Sequence, residues 1–251
     1  MKNGRAMRRL TAAITLTLLS LAALMVGAST ATGAQSPNLD PALCAPDENS
    51  FTLTIDNSFF PLPAGQQWVY TGKEQGQSLG LRITVLDATE SFYRGRKTVT
   101  TRVVEEIEWE DTNGDGVIGA DEPLIEVSLN YFAQSQDGTV CYFGEDVEIY
   151  EGGVVVSTEG SWRADAGDNA PGIFMPAEPE VGMSFEQEIA PGVAEDQATI
   201  VGTGTVKVPA GTFARAIKVR DFNPLDGSKG FKFYAPGVGL IVDGPLRLIS
   251  Y

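Results

Sequence analysis

After residue 34, no stretch of this chain keeps the 3.6-residue apolar period of a helix for long enough to predict one, and strand-like runs recur between turn signals. The pattern predicts an all-β fold, a single antiparallel domain over residues 51–251, built as either a β-sandwich or a closed barrel. The predicted strand runs are Phe51–Ile55, Gln67–Thr71, Leu79–Leu86, the 99–133 hairpin, Thr139–Phe143, Val147–Tyr150, Val154–Thr158, Ser184–Ile189, Thr199–Val208, Phe213–Val219, Phe231–Tyr234 and Leu240–Val242.

One segment breaks this rhythm. Residues 164–182 contain three prolines and no alternation of apolar and polar residues, so the segment is predicted to be a loop. Its apolar residues Ile173, Phe174 and Met175 are predicted to pack against the end of the sheet. The alternative is an apolar lip over a binding site.

The twelve residues 111–122, DTNGDGVIGADE, have the spacing of a calcium-binding loop. Calcium takes six to eight oxygen ligands, and alternating positions of a tight loop turn their oxygens inward. A glycine is expected at the sharp bend of such a loop, and Gly116 occupies that position. The candidate ligands are the side chains of Asp111, Asn113 and Asp115, the carbonyl of Val117, a water at Gly119 and both carboxylate oxygens of Glu122.

The flanks of this loop alternate with a period of two, so we expect the loop at the tip of a β-hairpin and not between two helices. The alternative is a plain polar hairpin turn, because Asn-Gly-Asp-Gly also suits the positive φ angles of such turns. The acidic residues just upstream are interpreted as a solvated strand face; these are Glu105, Glu106, Glu108 and Glu110.

Residues 1–34 have the organisation of a secretory signal peptide. A basic start is followed by an apolar run from Leu10 to Met25, and small residues lead to a predicted cleavage after Ala34. The competing interpretation is an uncleaved membrane anchor, which the short and interrupted apolar run disfavours. The predicted organisation is a signal peptide over 1–34, an N-terminal arm over 35–50 and the β domain over 51–251, with the mature chain secreted or extracytoplasmic.

Charge restricts the possible partners. The whole chain has 18 basic and 33 acidic residues, and loss of the four basic residues in 1–34 leaves 14 against 33, a net charge of −19. Such a chain repels nucleic-acid phosphates, so no nucleic-acid partner is expected. No second apolar run reaches membrane-spanning length, so no membrane insertion of the mature chain is expected.

The numbers of cysteines and histidines restrict the covalent and catalytic chemistry that this chain can perform. Two cysteines, Cys44 and Cys141, are expected to form a disulfide in an exported protein. The chain has no histidine, which excludes Ser-His-Asp and Cys-His mechanisms and imidazole-based zinc sites. Carboxylate pairs and metal-activated water remain available, but sequence spacing alone selects no catalytic residue.

Several motifs resemble a family of exported bacterial β-proteins with no established activity. They are NSFFPLPAGQQWVYTG (57–72), YFAQSQDGTVCYFGEDVEIYEGG (131–153), STEGSW (157–162), PGIFMPAEPEVG (171–182), APGVAED (190–196) and YAPGVGL (234–240). The resemblance covers most of residues 57–242. It implies an exported β fold, with a hairpin that is shorter in relatives at 111–122, so calcium and the disulfide would be additions in this chain.

The expected function is therefore a secreted, non-catalytic, calcium-binding β-domain with a binding or surface-interaction role. One alternative is an extracellular, carboxylate-dependent enzyme acting on carbohydrate, which would need two acids about 5 to 9.5 Å apart. Another is a barrel that carries an apolar small molecule, which would need a large enclosed apolar pocket. The macromolecular or small-molecule ligand is left open.

Overall fold

The computed structural model describes residues 38–251, which hold one short 3-10 helix, Pro41–Cys44, and sixteen strands. The predicted signal peptide and residues 35–37 of the arm lie outside the described residues. The strands are β1 (Phe51–Thr52), β2 (Gln67–Glu74), β3 (Gln77–Arg94), β4 (Lys97–Glu110), β5 (Leu124–Ser135), β6 (Val140–Glu151), β7 (Val154–Ser157), β8 (Trp162–Arg163), β9 (Ala170–Met175), β10 (Ser184–Glu186), β11 (Glu188–Ile189), β12 (Gln197–Val208), β13 (Gly211–Phe222), β14 (Lys229–Ala235), β15 (Gly239–Asp243) and β16 (Leu246–Ser250). In the described part, no helix is long and apolar enough to cross a membrane.

The described strands form one antiparallel sheet, which confirms the all-β prediction. Most neighbours in the sheet are also neighbours along the chain, because tight turns join successive strands into hairpins. The strand order is β10-β12-β13-β14-β15-β16-β2-β3-β4-β5-β6-β9-β11, with β1 paired to β5, and β7 and β8 paired to β6.

The sheet is continuous but not closed, so neither a two-sheet sandwich nor a closed barrel is found. Its two ends in the strand order are β10 and β11, which are consecutive in the chain and separated by Gln187 alone. Ser184 to Glu186 pair with β12, and Glu188 to Ile189 pair with β9. The short segment 184–189 therefore pairs with β12 at one end of the sheet and with β9 at the other. No ladder joins β9 directly to β10.

The sheet curls strongly around one core. Glu108 on β4 and Asp221 on β13 line the same cavity, although five strands separate β4 from β13 in the sheet order. Register shifts of the β-bulge type interrupt several ladders, including β3 with β4 between Val85 and Thr89. Bulges bend a strand and increase its twist, which allows a long sheet to wrap around its own apolar face.

Aromatic and branched side chains fill the concave face. Trp68 and Tyr70 on β2 are buried, and their polar atoms are satisfied by the carbonyls of Val238 and Leu240, at 2.8 and 2.9 Å. Phe60 and Phe132 lie in edge contact, with ring centroids 5.2 Å apart. Pairing polar atoms while burying the rings is the arrangement in which Trp and Tyr stabilise a core.

The prediction of one loop over residues 164–182 is wrong for part of the segment. Ala170–Met175 forms strand β9, which pairs with β6 and β11. Ile173 and Met175 are fully buried, as the packing interpretation expected. Pro171 lies at the second residue of the strand, and the strand is short, which limits the cost of the missing N–H.

Cys44 and Cys141 form the expected disulfide, with a sequence separation of 97 and both residues fully buried. It fastens the short 3-10 helix to β6. Cross-linking so long a loop restricts the unfolded chain strongly, by about 4.7 kcal/mol for 100 residues on the chain-entropy model.

Reduction of this disulfide is expected to lower the free energy of unfolding by about 3–5 kcal/mol. The measurement is urea unfolding of the wild type with and without reductant, beside the double variant Cys44→Ala/Cys141→Ala. The reduced wild type keeps both sulfur atoms in the core, so it separates the cross-link from the packing lost in the alanine variant. Equal midpoints for the oxidised and reduced wild type would contradict the prediction.

Candidate functional sites

The loop 111–122 connects β4 to β5 and lies at the tip of their hairpin, as predicted. The hairpin ladder continues up to Trp109 paired with Leu124, and the N–H of Glu110 donates to the carbonyl of Pro123 at 2.9 Å. The loop leaves the sheet at Asp111 and returns at Pro123. Two antiparallel strands, instead of two helices, therefore hold its ends together.

Asp111 organises the first half of the loop. It is only 2% exposed, and its carboxylate accepts from the N–H groups of Gly114 at 2.9 Å, Asp115 at 3.1 Å and Gly116 at 3.2 Å. The side chain of Asn113 accepts from the N–H of Asp115 at 2.9 Å. These hydrogen bonds curve the loop backbone around the Asp111 carboxylate. They also satisfy loop N–H groups that have no partner on a neighbouring strand.

Glu122 closes the loop from its other end. One carboxylate oxygen accepts from the N–H of Thr112 and the other from the N–H of Gly119, both at 2.9 Å. The last candidate ligand is thereby held beside the first turn of the loop. Asp115 makes a further local bond, accepting from the N–H of Val117 at 2.8 Å.

The loop also packs against the convex face of the sheet. Gly116 has a φ of 71°, and a β-carbon at this position would lie 2.6 Å from Ile249 Cδ1 and 2.9 Å from Thr71 Cγ2. Both the backbone angle and the close approach favour glycine. Beneath the hairpin end, the ring of Trp109 covers Gly80 on β3, where a β-carbon would lie 2.2 Å from the ring.

The candidate calcium ligands are thus brought into one loop, but their oxygens are turned toward loop N–H groups. Val117 is 65% exposed, and Gly119 lies next to the Glu122 carboxylate. Among residues 38–251, no three His, Cys, Asp or Glu side chains form a group that could hold a metal ion. Calcium binding at Asp111, Asn113, Asp115, Val117, Gly119 and Glu122 stays a prediction.

A second site, which sequence reasoning missed, lies on the concave face of the curled sheet. It is a cavity of about 410 Å³ lined by acidic side chains from five strands and by two lysines. Glu108 and Glu126 stand directly opposite each other on β4 and β5. The charged lining residues are Glu74, Glu108, Glu126, Asp196, Asp221, Asp243, Lys229 and Lys232.

Lys232 is the central cation of this acidic cavity. Its ammonium lies 3.9 Å from an Asp221 carboxylate oxygen and 3.8 Å from Asp243, and its side chain is 32% exposed. The negative charge of Asp243 raises the pKa of Lys232 well above its ordinary value, against the opposing effect of burial. Lys232 therefore stays charged and offsets part of the negative charge around it.

Burial raises the pKa of carboxyls in the acidic cavity and beside it. It raises the pKa of Glu106 to about 7, with Lys232 opposing and Asp243 adding to the shift. Burial likewise raises the pKa of Glu108 to about 7, followed by the negative charge of Glu126. For Asp221, burial raises the pKa to about 6. The two lysines do not compensate the six acids that line the cavity, so protonation is the remaining way to reduce the cost of burial and the repulsion.

The interpretation of the upstream glutamates as a solvated strand face is wrong for Glu106 and Glu108. They alternate with Ile107 and Trp109 as expected, but the curl of the sheet turns the glutamate side inward. Glu108 lines the acidic cavity, and Glu106 lines the small chamber beside it. The signal present in the sequence was the closeness of Glu106, Glu108 and Glu126 on two strands of one hairpin. The hairpin pairing alone places Glu108 opposite Glu126.

An aromatic chamber adjoins the acidic cavity through Lys232 and Asp243, which line both. Trp68, Tyr70 and Tyr234 form part of its wall. Its volume is only about 40 Å³. Pockets for drug-sized ligands span about 300–1,000 Å³, so this chamber gives no support to the alternative of a barrel that carries an apolar small molecule.

The comparisons with known proteins place this chain near one solved structure. It is a crystal structure of a Bacteroides fragilis protein assigned as exported and described with a YmcC-like fold, 17% identical, matching 76% of this chain and 97% of that chain with a TM-score of 0.37. No protein-family model and no curated protein matches the sequence. At this TM-score the likeness carries no functional argument, and the resemblance to exported β-proteins stays a prediction.

The carboxyls with raised pKa make the stability dependent on pH. A carboxyl that holds its proton more tightly in the folded state stabilises the fold at low pH, and this contribution is lost as pH rises through the folded pKa. The free energy of unfolding is therefore expected to fall between about pH 5 and pH 7.5. For Glu106, whose side chain is only partly buried, the loss is about 1–2 kcal/mol.

Denaturant unfolding across this pH range measures the effect. Glu106→Gln should flatten the decline, because the amide does not titrate, while Glu105→Gln on the opposite side of the same strand should leave it unchanged. A stability that rises from pH 5 to pH 7.5, or an identical slope in both variants and wild type, would show that the cavity carboxyls do not control it.

Proposed function

We propose that this protein is exported and non-catalytic, and that loop 111–122 binds one calcium ion. The observation that carries the proposal is the closure of the loop by its own acids. Asp111 holds the first turn, and Glu122 reaches back to the N–H groups of Thr112 and Gly119. The chain's own hydrogen bonds thereby hold the oxygen-bearing first and last positions of the loop together.

The hydrogen bonds within the loop leave oxygen lone pairs for a metal. An ionised carboxylate offers about four acceptor sites, and Glu122 uses three of them, on the N–H groups of Thr112 and Gly119 and the Thr112 hydroxyl. One site on Oε2 is open, and ligation through both oxygens would replace the contacts of Oε1 with Thr112. Asp115 accepts from Val117 through a single oxygen. Calcium is a hard cation that selects such oxygens, and no basic residue within 111–122 competes for them.

The placement of the loop favours a structural role for the ion. Because Gly116 packs on Thr71 and Ile249, an ion that rigidifies the loop would also fasten the β4–β5 hairpin to β2 and β16. The folded chain alone presents this geometry, so calcium would stabilise the fold by mass action. With strands on both flanks, the site lacks the helix pair that opens in calcium switches.

Export is supported by two features. The leading 34 residues have signal-peptide organisation, and the buried Cys44–Cys141 disulfide suits an oxidising compartment. Calcium is abundant outside the cytoplasm, where binding modules have dissociation constants of about 10⁻⁴–10⁻³ M.

Calorimetric titration of calcium into chelator-stripped protein tests the proposal. We expect one ion per chain with a Kd of about 10⁻⁴–10⁻³ M, and a Kd at least ~10-fold higher for Glu122→Gln, which loses a charged ligand. Asp121→Asn is the matched control; it removes one neighbouring charge but no proposed ligand, and its Kd should stay within about twofold. Absence of heat up to 10 mM calcium, or equal losses in both variants, would refute the site.

The acidic cavity supports a second candidate function, carboxylate-based hydrolysis of a glycosidic bond. Side chains directly opposite on antiparallel strands have β-carbons about 4.5–5.5 Å apart, and Glu108 and Glu126 are such a pair. Burial raises the pKa of Glu108 to about 7, so this group keeps a proton available near neutral pH, as a general acid requires. The cavity of about 410 Å³ gives room for a sugar unit.

Release of reducing ends from a panel of polysaccharides at pH 5–8 tests this second candidate. If the pair is catalytic, Glu108→Gln and Glu126→Gln should each lower the rate by at least ~100-fold, the contribution of a positioned acid or base, and Glu105→Gln should leave it unchanged. Turnover that survives both substitutions would exclude this pair.

A further inference from the structure

The cationic residues of this acidic protein are unevenly distributed. Residues 197–235, which span β12, β13 and β14, contain six basic residues and two acidic ones, whereas the whole chain has a net charge of −15. Of these eight, Asp221 and Lys232 pair with each other in the concave cavity. The charged residues that remain in this range are five basic ones and a single acid, Asp226.

Three of these basic residues alternate with phenylalanines across the strands. The register places Lys218 opposite Phe233, Arg220 opposite Phe231 and Phe222 opposite Lys229. Residues opposite each other share a face, and this face is the one away from the buried Val219 and Tyr234. We call this set the cation–aromatic patch: Lys218, Arg220, Lys229, Phe222, Phe231 and Phe233. Phe222 and Lys229, the last pair of this ladder, also line the acidic cavity.

The rings of the patch position its ammonium groups. Lys218 Nζ lies 3.7 Å from the Phe231 ring centroid and 5.7 Å from that of Phe233, and Lys229 Nζ lies 5.6 Å from the Phe222 centroid. Cation–π attraction of this kind contributes about 0.5–1 kcal/mol at exposed sites. The patch thus presents cations with restricted freedom, which lowers the entropy cost of pairing them with an anion.

A groove of about 550 Å³ continues from the patch over β10, β12, β13 and β14. Arg220, Phe222 and Lys229 line it, together with uncharged polar side chains and one acid, Glu186. The Arg220 guanidinium is held toward β12 by a bond of 3.3 Å to the Thr199 hydroxyl. The uncharged polar lining residues are Asn38, Ser184, Gln197 and Thr199.

We propose that this groove and the cation–aromatic patch bind an acidic oligosaccharide that carries carboxylate groups. Arg220 suits a bidentate pair with a sugar carboxylate, and Lys229 supplies a second positive charge. The amide and hydroxyl side chains along the groove match the hydroxyls of a sugar, and the Phe222 ring offers an apolar surface to a sugar face.

The same features disfavour other anionic partners. An acyl chain in this groove would bury the amide and hydroxyl groups without partners, which costs free energy. The only patch ring that is largely exposed, Phe231 at 44%, is overlaid by the Lys218 ammonium and is poorly placed to enter a bilayer. A nucleic-acid duplex extends well beyond three cations, and the negative charge of the remaining chain repels its phosphates.

Calorimetric titration with a galacturonic-acid hexamer, in low salt with a calcium chelator, tests the proposal independently of the calcium site. The purified wild type should bind the hexamer saturably and should bind a galactose hexamer at least ~10-fold more weakly. Arg220→Gln and Lys229→Gln should each raise the Kd by about tenfold. Lys207→Gln, an exposed lysine on β12 outside the groove, is the control and should change it by less than about twofold.

Three results would overturn the proposal: no saturable binding of the acidic hexamer, equal binding of the neutral hexamer, or an equal loss in Lys207→Gln. Vesicles of phosphatidylglycerol and duplex DNA are titrated in parallel, and tighter binding of either would assign the patch to that partner instead. Melting temperatures of the variants within a few degrees of wild type verify that changes in Kd come from the surface and not from unfolding.

Discussion

The rest of the structure depends on how the two edge strands of one long sheet are kept short and brought together. An unpaired edge strand exposes backbone donors and acceptors, and natural sheets keep such edges short or covered. Here the two terminal strands, β10 and β11, have three and two residues and belong to one segment interrupted only by Gln187. Gln187 donates its N–H to Asp196 and approaches β9 so closely that a β-carbon on Gly172 would lie 2.1 Å from its carbonyl oxygen. Glycine at 172 therefore permits the two ends to meet.

The curl that brings these ends together also creates the acidic cavity. Strands β4, β5, β13, β14 and β15 are spread across the sheet order, yet each contributes a charged group to it. The cost of placing Glu106 and Glu108 inward is reflected in their pKa values of about 7, and Lys232 offsets it only in part. Ionisable groups whose pKa is strongly shifted by burial are frequently functional. This cavity therefore supports a second candidate function beside calcium binding.

The convex face carries the other two features of interest, and they lie on different strands. The loop 111–122 packs on β2 and β16, whereas the cation–aromatic patch lies on β13 and β14. Negative charge is concentrated in the loop and the cavity, and positive charge in the patch. The net charge of the chain, which argued against a nucleic-acid partner, conceals this separation. A surface field is set by the local arrangement of charges, so a net charge of −15 is compatible with an anion-binding face.

The sequence by itself determined most of the strands, the hairpin that presents the loop 111–122 and the pairing of Cys44 with Cys141, but it missed Trp162–Arg163, Ala170–Met175 and Leu246–Ser250. The features that it determined depend on local alternation, turn chemistry and the presence of only two cysteines, all of which are readable along the chain. The tertiary structure alone decided which side of each strand faces inward. It placed Glu108 at the acidic cavity and Glu106 at the adjoining aromatic chamber. It also made a strand of Ala170–Met175 and brought Lys218, Arg220 and Lys229 onto one face. Alternation defines two faces of a strand but does not say which one the sheet will enclose, because the direction of curl is set by bulges and by contacts between residues far apart in the chain.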